Sequence, residues 1–214
     1  MPAPPVSAPS RTALSMSAAS NAGTLTSETD QFKLALYYQR IGDFENSLIH
    51  YRAVLQRDEL NAEAHNNLGL LYRDKGLFDE AVKEFQRAIA IDQRYVKAHN
   101  NLGVAYLNQR KNEAAAAEFR TALSIDARNV ESLVNLGLAK KDAGRRDEAR
   151  AALARALEID PHSAEAHYNL ALISDDAGDK TQALVHYRAF LQYGSVAHAD
   201  LVTDVRKRVD ILNR

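Results

Sequence analysis

The feature that most constrains this chain is a repeat. Residues 64–69 read AHNNLG, and residues 98–103 read AHNNLG again, 34 positions later. With this period, five segments align without a gap and cover about four-fifths of the sequence: 28–61, 62–95, 96–129, 130–163 and 164–197. A gap-free period of this length predicts a series of equivalent structural units, each packed on its neighbours.

The apolar pattern inside each repeat predicts two helices. In the second repeat Leu68, Gly69 and Tyr72 lie at helical spacing, and a second stripe follows at Ala81 and Phe85. Small residues recur where paired helices must approach closely. They are Gly69, Gly103 and Gly137 on the first helices and Ala81, Ala115 and Ala149 on the second helices. We therefore predict one antiparallel helix pair in each repeat.

A glycine recurs at the turn between the two helices, where a residue in the left-handed conformation commonly ends a helix. These glycines are Gly42, Gly76, Gly144 and Gly178. The third repeat has Arg110 at this position, so we expect that turn to be slightly strained.

The repeats resemble the tetratricopeptide repeat family, whose pattern is W-x2-L-G-x2-Y, then A-x3-F, then P. The second repeat matches at His65, Leu68, Gly69, Tyr72, Ala81 and Phe85. The third matches at His99, Leu102, Gly103, Tyr106, Ala115 and Phe119, and the fourth at Leu133, Leu136, Gly137, Ala149, Leu153 and Pro161. The resemblance implies an all-α fold, a right-handed α-solenoid of five 34-residue helix-turn-helix repeats.

Both ends of the chain depart from the repeat. Residues 1–27 are rich in Pro, Ala and Ser and carry a single charge, so we interpret them as a disordered tail or a linker from a longer architecture. Residues 198–214 predict a C-terminal capping helix, because their apolar residues form one helical stripe. The stripe comprises Leu201, Val202, Val205, Val209 and Leu212.

Composition excludes several classes of function. The formal net charge of -1 and the pI of about 6.7 provide no general attraction for nucleic acid. The chain has no cysteine, which excludes disulfides and thiolate chemistry. It also lacks an apolar run long enough to span a membrane and the apolar core of a secretory signal. We therefore predict no membrane insertion and a cytoplasmic location.

Two polar arrays invite a metal-binding or catalytic interpretation, and we favour a structural role for both. One is His65, His99 and His167, whose separations of 34 and 68 residues differ from the i, i+4 spacing of a zinc-binding helix. The other is Asp58, Asp92, Asp126 and Asp160, which follow the second helices and can bond the backbone of the next turn and cap the next helix. No catalytic motif accompanies them. We predict no enzyme activity, no cofactor and no metal site.

The candidate binding site is a column of asparagines on the concave face, which the first helices line. The column comprises Asn67, Asn101, Asn135 and Asn169. A carboxamide has the donor and acceptor groups of a peptide bond, so the column can hold a partner's main chain. The expectation assumes that this face has no packing role; local bonding of the asparagines is the alternative. The column resembles the asparagine-lined groove of O-linked N-acetylglucosamine transferases, which grips extended peptides.

An aliphatic residue lies three positions after each asparagine. These residues are Leu70, Val104, Leu138 and Leu172, with Leu36 at the same position in the first repeat. They can face the groove and accept apolar side chains, or they can pack within each helix pair. Lys97 is a further candidate, because the chain partly resembles the carboxylate clamps that bind chaperone C-termini. Asn67 and Lys97 fit that pattern, whereas Phe32, Leu36 and Asn101 replace its Lys, Asn and Arg.

These observations predict a non-enzymatic scaffold that binds an extended or amphipathic peptide segment of a partner protein in its concave groove. The alternative is a module that recruits substrates for an enzyme on another chain. An intrinsic enzyme is the third possibility, and no motif favours it.

Overall fold

The computed structural model describes residues 28–194 and 199–214; the predicted tail, residues 1–27, lies outside this range. The described part contains eleven helices and no strand. The described residues divide between two compact units, residues 28–57 in one and residues 58–194 and 199–214 in the other. The all-α fold built from 34-residue helix pairs is confirmed.

The first unit contains one helix pair, α1 (Glu28–Arg40) and α2 (Phe44–Arg57). Tyr51 is fully buried and its hydroxyl donates to Gln39 Oε1 at 2.7 Å. Ser47 Oγ donates to the main-chain oxygen of Ala35 at 2.9 Å. These buried contacts fix α2 against α1.

The second unit is an α-solenoid of four helix pairs followed by one helix. Its helices are α3 (Ala62–Asp74), α4 (Phe78–Ile91), α5 (Val96–Asn108), α6 (Asn112–Ile125), α7 (Val130–Asp142), α8 (Arg146–Ile159), α9 (Ala164–Asp176), α10 (Lys180–Tyr193) and α11 (Ala199–Leu212). Each helix of a pair packs against its partner and against the adjacent repeat. The core is therefore continuous along this unit, as stacked repeats require.

The predicted close approach of the paired helices is confirmed. A Cβ atom added to Gly103 would lie 2.5 Å from Phe119 Cε1, and one added to Gly69 would lie 2.6 Å from Phe85 Cε1. Both phenylalanines are fully buried. Glycine is required at these positions because the aromatic ring occupies the space of a side chain.

The aspartates after the second helices bond the following turn, as predicted. The carboxylates of Asp58, Asp92, Asp126 and Asp160 each accept the main-chain N–H two residues later at 2.9–3.1 Å. They do not cap the next helix. Asn61, Asn129 and Ser163 do so, by accepting a main-chain N–H three residues later.

The turn residues adopt the left-handed conformation that the sequence predicts. Gly42, Gly76, Gly144 and Gly178 have φ of 75–77°, and Arg110 has φ of 59°. Arg110 is the non-glycine residue with positive φ in the described part of the chain. A side chain in this conformation costs roughly 1–2 kcal/mol, so the strain predicted for the third repeat is supported.

Replacing Arg110 with glycine should therefore stabilise the protein. We expect Arg110→Gly to raise the free energy of unfolding by about 0.5–1 kcal/mol, since the greater freedom of glycine in the unfolded chain offsets part of the gain. Thermal melting followed by circular dichroism measures the change. The reverse substitution one repeat later, Gly144→Arg, is the matched control and should lower stability. Equal melting temperatures for both variants and the wild type would contradict the strain.

The last helix, α11, packs against α10 through one apolar face. Val202, Val205 and Leu212 are buried and join a cluster that includes Tyr187 and Phe190. The guanidinium of Arg208 donates two hydrogen bonds to Asp175, one of them at 2.6 Å, and this bonding holds the pKa of the Asp175 carboxyl below its usual value. The helix covers the apolar edge of the fifth repeat.

Candidate functional site

The first helices of the repeats form a continuous surface in the second unit. Helix α3 contacts α5, α5 contacts α7, and α7 contacts α9. The four predicted asparagines and the four predicted aliphatic residues of repeats two to five lie on these helices. Equivalent residues of successive repeats are thereby brought onto one side of the unit.

The structure gives the asparagine column packing contacts that the sequence analysis did not expect. Asn67, Asn101 and Asn135 are partly buried, and Asn169 is 8% exposed. Asn169 Nδ2 donates to the main-chain oxygen of Glu165 at 2.9 Å, a bond within its own helix. The assumption that this face has no packing role is therefore wrong. Asn169 Oδ1 also accepts from Lys141 Nζ at 3.4 Å. A carboxamide has two N–H donors and two acceptor lone pairs, so these internal bonds leave one donor and one lone pair for a partner.

Asn66 and Asn100, the residues before the column, connect successive repeats. Asn101 Nδ2 donates to Asn66 Oδ1 at 2.9 Å, and Asn135 Nδ2 donates to Asn100 Oδ1 at 3.2 Å. Asn66 and Asn100 are each 3% exposed. In each copy of AHNNLG, the first Asn is therefore buried at the junction with the next repeat, and the second Asn is partly exposed. The doubled Asn was the available signal for both roles, but only Asn67 and Asn101, the second Asn of each copy, were predicted as site residues.

The aliphatic residues combine packing with partial exposure. Leu70, Val104, Leu138 and Leu172 are partly buried. Leu70 packs against the cluster that contains Phe85, and Val104 against the cluster that contains Phe119. Lys97 is exposed at the start of α5. These contacts show that Leu70 and Val104 pack within the repeats, and the contact of the aliphatic positions with a partner stays a prediction.

A cavity of about 530 Å³ opens between these helices. Val104, Val130 and Val134 supply its apolar lining, and Asn135 and Ser163 supply neutral polar groups. Its charged lining consists of Arg73, Glu131, Asp160 and Glu165. Of the predicted site residues, the cavity brings together Val104 and Asn135. A cavity of this size with a mixed lining can hold one or two side chains of a peptide.

Sequence reasoning missed Glu131 and Glu165, although the repeat pointed to them. Glu131 lies in the first turn of a first helix one period after Lys97, and Glu165 lies in the first turn of the next first helix, two periods after Lys97. Both glutamates are exposed and line the cavity, and the cavity lining does not include Lys97. The charge at this repeat position therefore changes sign along the groove.

The histidine array lies inside the helix pairs. His65 Nδ1 contacts Glu84 Oε2 at 2.7 Å, and His65 Nε2 contacts the main-chain oxygen of Glu59 at 3.1 Å. His99 repeats this arrangement with Glu118 at 2.8 Å and with a main-chain oxygen at 3.2 Å. Both rings are buried instead of meeting solvent at their polar edge. Among the described residues, no three His, Cys, Asp or Glu side chains are grouped to hold a metal ion.

The fifth repeat replaces the glutamate partner with a second histidine. Nδ1 of His167 lies 3.0 Å from Nδ1 of His186, so one ring donates and the other accepts. Burial lowers the pKa of His186, and the nearby His167 lowers it further. The folded state thus keeps His186 neutral at a pH where the unfolded chain, with a histidine pKa near ~6.5, takes up a proton. The stability that depends on neutral His186 is fully present above the histidine pKa of the unfolded chain. It decreases as the pH falls from there towards the lowered pKa of His186.

Changing His186 to glutamate should remove this acid sensitivity. His186→Glu recreates the pairing of repeats two and three, so its melting temperature should fall less than that of the wild type between about pH 7.5 and about pH 5.5. The expected difference is a few degrees, because about 1 kcal/mol shifts the melting temperature by roughly 2–4 °C at this chain length. The exposed His162 provides the control, and His162→Gln should behave as the wild type does. Equal pH responses of the wild type and His186→Glu would contradict the assignment.

Stacked pairs of equivalent helices define this protein as an α-solenoid repeat protein. One sequence profile described as a TPR repeat matches residues 69–110, and two described as tetratricopeptide repeats match residues 96–129 and 134–197. The chain belongs to the tetratricopeptide repeat family, a class of protein-interaction scaffolds. A comparison with curated protein sequences gives no match.

Several solved structures share the fold. MamA is 23% identical, with a TM-score of 0.67 over 78% of this chain and 97% of that chain. PilW, a widely conserved type IV pilus biogenesis factor, is 19% identical, with a TM-score of 0.73 over 86% of this chain and 92% of that chain. YrrB, described as a TPR protein with an unusual peptide-binding site, is 19% identical, with a TM-score of 0.64 over 89% of this chain and 97% of that chain. These likenesses concern the fold.

In the described residues, every helix is too short or too polar to cross a membrane.

Proposed function

We propose that the protein is a non-enzymatic scaffold that holds an extended or amphipathic peptide segment of a partner protein. The observation that carries the proposal is the cavity between the first helices of the second unit, where Val104 and Asn135 lie together. An aliphatic lining accepts an apolar side chain, and adjacent carboxamides pair with the main chain that carries it. The site thereby recognises a short segment without requiring a folded partner.

The repeat spacing suits an extended peptide. Packed helices lie about 8–10 Å apart, and an extended chain advances ~3.3 Å per residue, so successive first helices meet roughly every third peptide residue. The partly buried carboxamides at Asn67, Asn101 and Asn135 follow this spacing. The peptide-binding site described for YrrB, a protein of similar fold, supports the same use of this fold here.

Peptide display tests the proposal without a known partner. A phage library of random peptides of about twelve residues is panned against the full chain, and a selected peptide is synthesised with a fluorescent label. Its affinity is measured by fluorescence anisotropy. Val104→Gln, which introduces a polar side chain into the cavity lining, should weaken binding roughly tenfold, as expected for the loss of about 1.4 kcal/mol.

The matched control is Val185→Gln, because Val185 is exposed on a second helix, α10, and does not line the cavity. This variant should bind as the wild type does. Unchanged affinity of Val104→Gln, or an equal loss in both variants, would show that selected peptides bind elsewhere. Circular dichroism establishes that both variants remain folded.

A further inference from the structure

The groove cavity has an excess of negative charge. Its lining contains three carboxylates, from Glu131, Asp160 and Glu165, and one guanidinium, from Arg73, giving a net charge of -2. The Arg73 guanidinium donates to Asp74 Oδ1 at 2.9 and 3.2 Å, which further offsets its positive charge. The whole chain has a formal net charge of only -1, so the excess is a property of this location.

Two of these carboxylates occupy the same position in adjacent repeats. Glu131 lies in the first turn of α7, and Glu165 lies in the first turn of α9, 34 residues later. Helices α7 and α9 are in contact, so the two glutamates line the cavity from neighbouring first helices, while the valines line it from α5 and α7. The acidic groups therefore accompany an apolar pocket instead of forming an isolated acidic cluster.

We propose that the segment held in this cavity is a basic peptide with an aliphatic residue between two Lys or Arg residues. The inference rests on the proposed peptide-binding function. The aliphatic side chain contacts Val104, Val130 and Val134, while the cationic side chains lie near Glu131 and Glu165. Because the helices lie about 8–10 Å apart and an extended peptide advances ~3.3 Å per residue, the cations belong roughly three residues apart.

The charge also selects against an acidic ligand. Carboxylate clamps need cations in the groove, but the position of Lys97 is occupied by glutamate in the next two repeats. A terminal carboxylate or an acidic peptide placed in the cavity would meet like charges, which disfavour binding. The partial clamp resemblance of Lys97 therefore does not extend to this cavity.

Three labelled synthetic peptides test the proposal. Each has about nine residues, blocked ends and a central Leu. The peptides differ only at two positions, one on each side of the Leu and about three residues apart. Both positions hold Lys in the first peptide, Gln in the second and Glu in the third. Fluorescence anisotropy against the full chain should give the tightest binding for the Lys peptide and the weakest for the Glu peptide. The preference should diminish between about 50 mM and about 300 mM salt, because partly exposed charges are screened.

Variants then locate the charge effect. Glu131→Gln and Glu165→Gln should each weaken binding of the Lys peptide roughly threefold to tenfold and leave the Gln peptide unchanged. The matched control is Glu63→Gln, because Glu63 lies in the first turn of a first helix at the same repeat position and does not line the cavity. The double variant Glu131→Lys/Glu165→Lys should reverse the preference and favour the Glu peptide. All of these positions are exposed, and Gln is nearly isosteric with Glu, so the circular dichroism spectra should stay unchanged.

The possible failures separate this inference from the proposed function. Equal binding of all three peptides that still depends on Val104 would overturn the charge inference and leave groove binding intact. Tightest binding of the Glu peptide, or no binding of the Lys peptide at about 1 mM, would also overturn it. Binding of the Lys peptide that is insensitive to Val104→Gln and to both glutamate variants would place the contact outside the groove and overturn it as well. The affinities of the peptides selected by display for the wild type and for Val104→Gln test the proposed function independently.

Discussion

Deleting residues 198–214 is expected to lower the melting temperature by roughly 10 °C or more and to make the protein self-associate. The deletion removes Val202, Val205 and Leu212, which are buried against Tyr187 and Phe190. Full burial of such side chains contributes roughly 1.5–3 kcal/mol each, and the entropy of ordering the helix offsets part of the sum. Each kcal/mol shifts the melting temperature by roughly 2–4 °C at this size. The uncovered aromatic rings provide the surface for self-association.

Melting by circular dichroism and size-exclusion chromatography with light scattering measure the two effects. A point substitution tests the apolar contact of α11 while the helix itself stays in the chain. Val205→Asp places a charge in the apolar cluster and should reproduce much of the loss, whereas Thr203→Asp, at an exposed position of the same helix, should not. An unchanged melting temperature and a monomeric truncated protein would show that α11 is not docked.

Replacing Asn100 with valine is expected to destabilise the protein by about 1–3 kcal/mol. Asn100 Oδ1 accepts hydrogen bonds from Ser132 Oγ and from Asn135 Nδ2, each at 3.2 Å. Ser132 is fully buried, so Asn100→Val leaves its hydroxyl without this acceptor, and a buried polar group without a partner costs about this amount. The size of the new side chain is not the cause, because the equivalent position of the next repeat is Val134.

A second substitution tests whether the hydrogen bond causes the loss. In Asn100→Val/Ser132→Ala the hydroxyl is also absent, so stability should recover by about 1 kcal/mol or more relative to Asn100→Val. Alanine occupies the position of Ser132 in three other repeats, at Ala64, Ala98 and Ala166, and the chain already combines the two replacements one repeat later, in Val134 and Ala166. Chemical denaturation of the wild type, both single variants and the double variant gives the coupling energy. Strictly additive losses would contradict the assignment.

Much of the fold followed from the sequence because one period sets the positions of helices α1 to α10. Gly103 and Phe119 recur at fixed positions, and their close contact requires the helices to pair in one way. The conformation of the turn at Arg110 was predictable for the same reason, since glycine holds that position in four other repeats. Repetition converts a weak local signal into a strong one, because each position is observed several times.

The candidate site was less predictable, because repetition does not indicate which helical face remains open. Asn66 and Asn67 are adjacent in sequence, yet a helix turns about 100° per residue, so one is buried at a repeat junction and the other partly exposed. Glu131 was missed because Lys97 was assessed by its resemblance to a clamp and not along its own repeat position. The cavity itself depends on the spacing of four helices, which a pattern of letters does not specify.

The junctions formed by Asn66 and Asn100 bear on how such a chain can grow. The contact of the second repeat with the third and that of the third with the fourth use the same amide-to-carbonyl bond between carboxamides. A duplication that inserts another copy of residues 96–129 would therefore meet matching surfaces on both sides. It would lengthen the binding surface by one helix pair, with every existing residue kept in register. The identical letters allow the length of the recognised segment to change by gene duplication, without redesign of the interior.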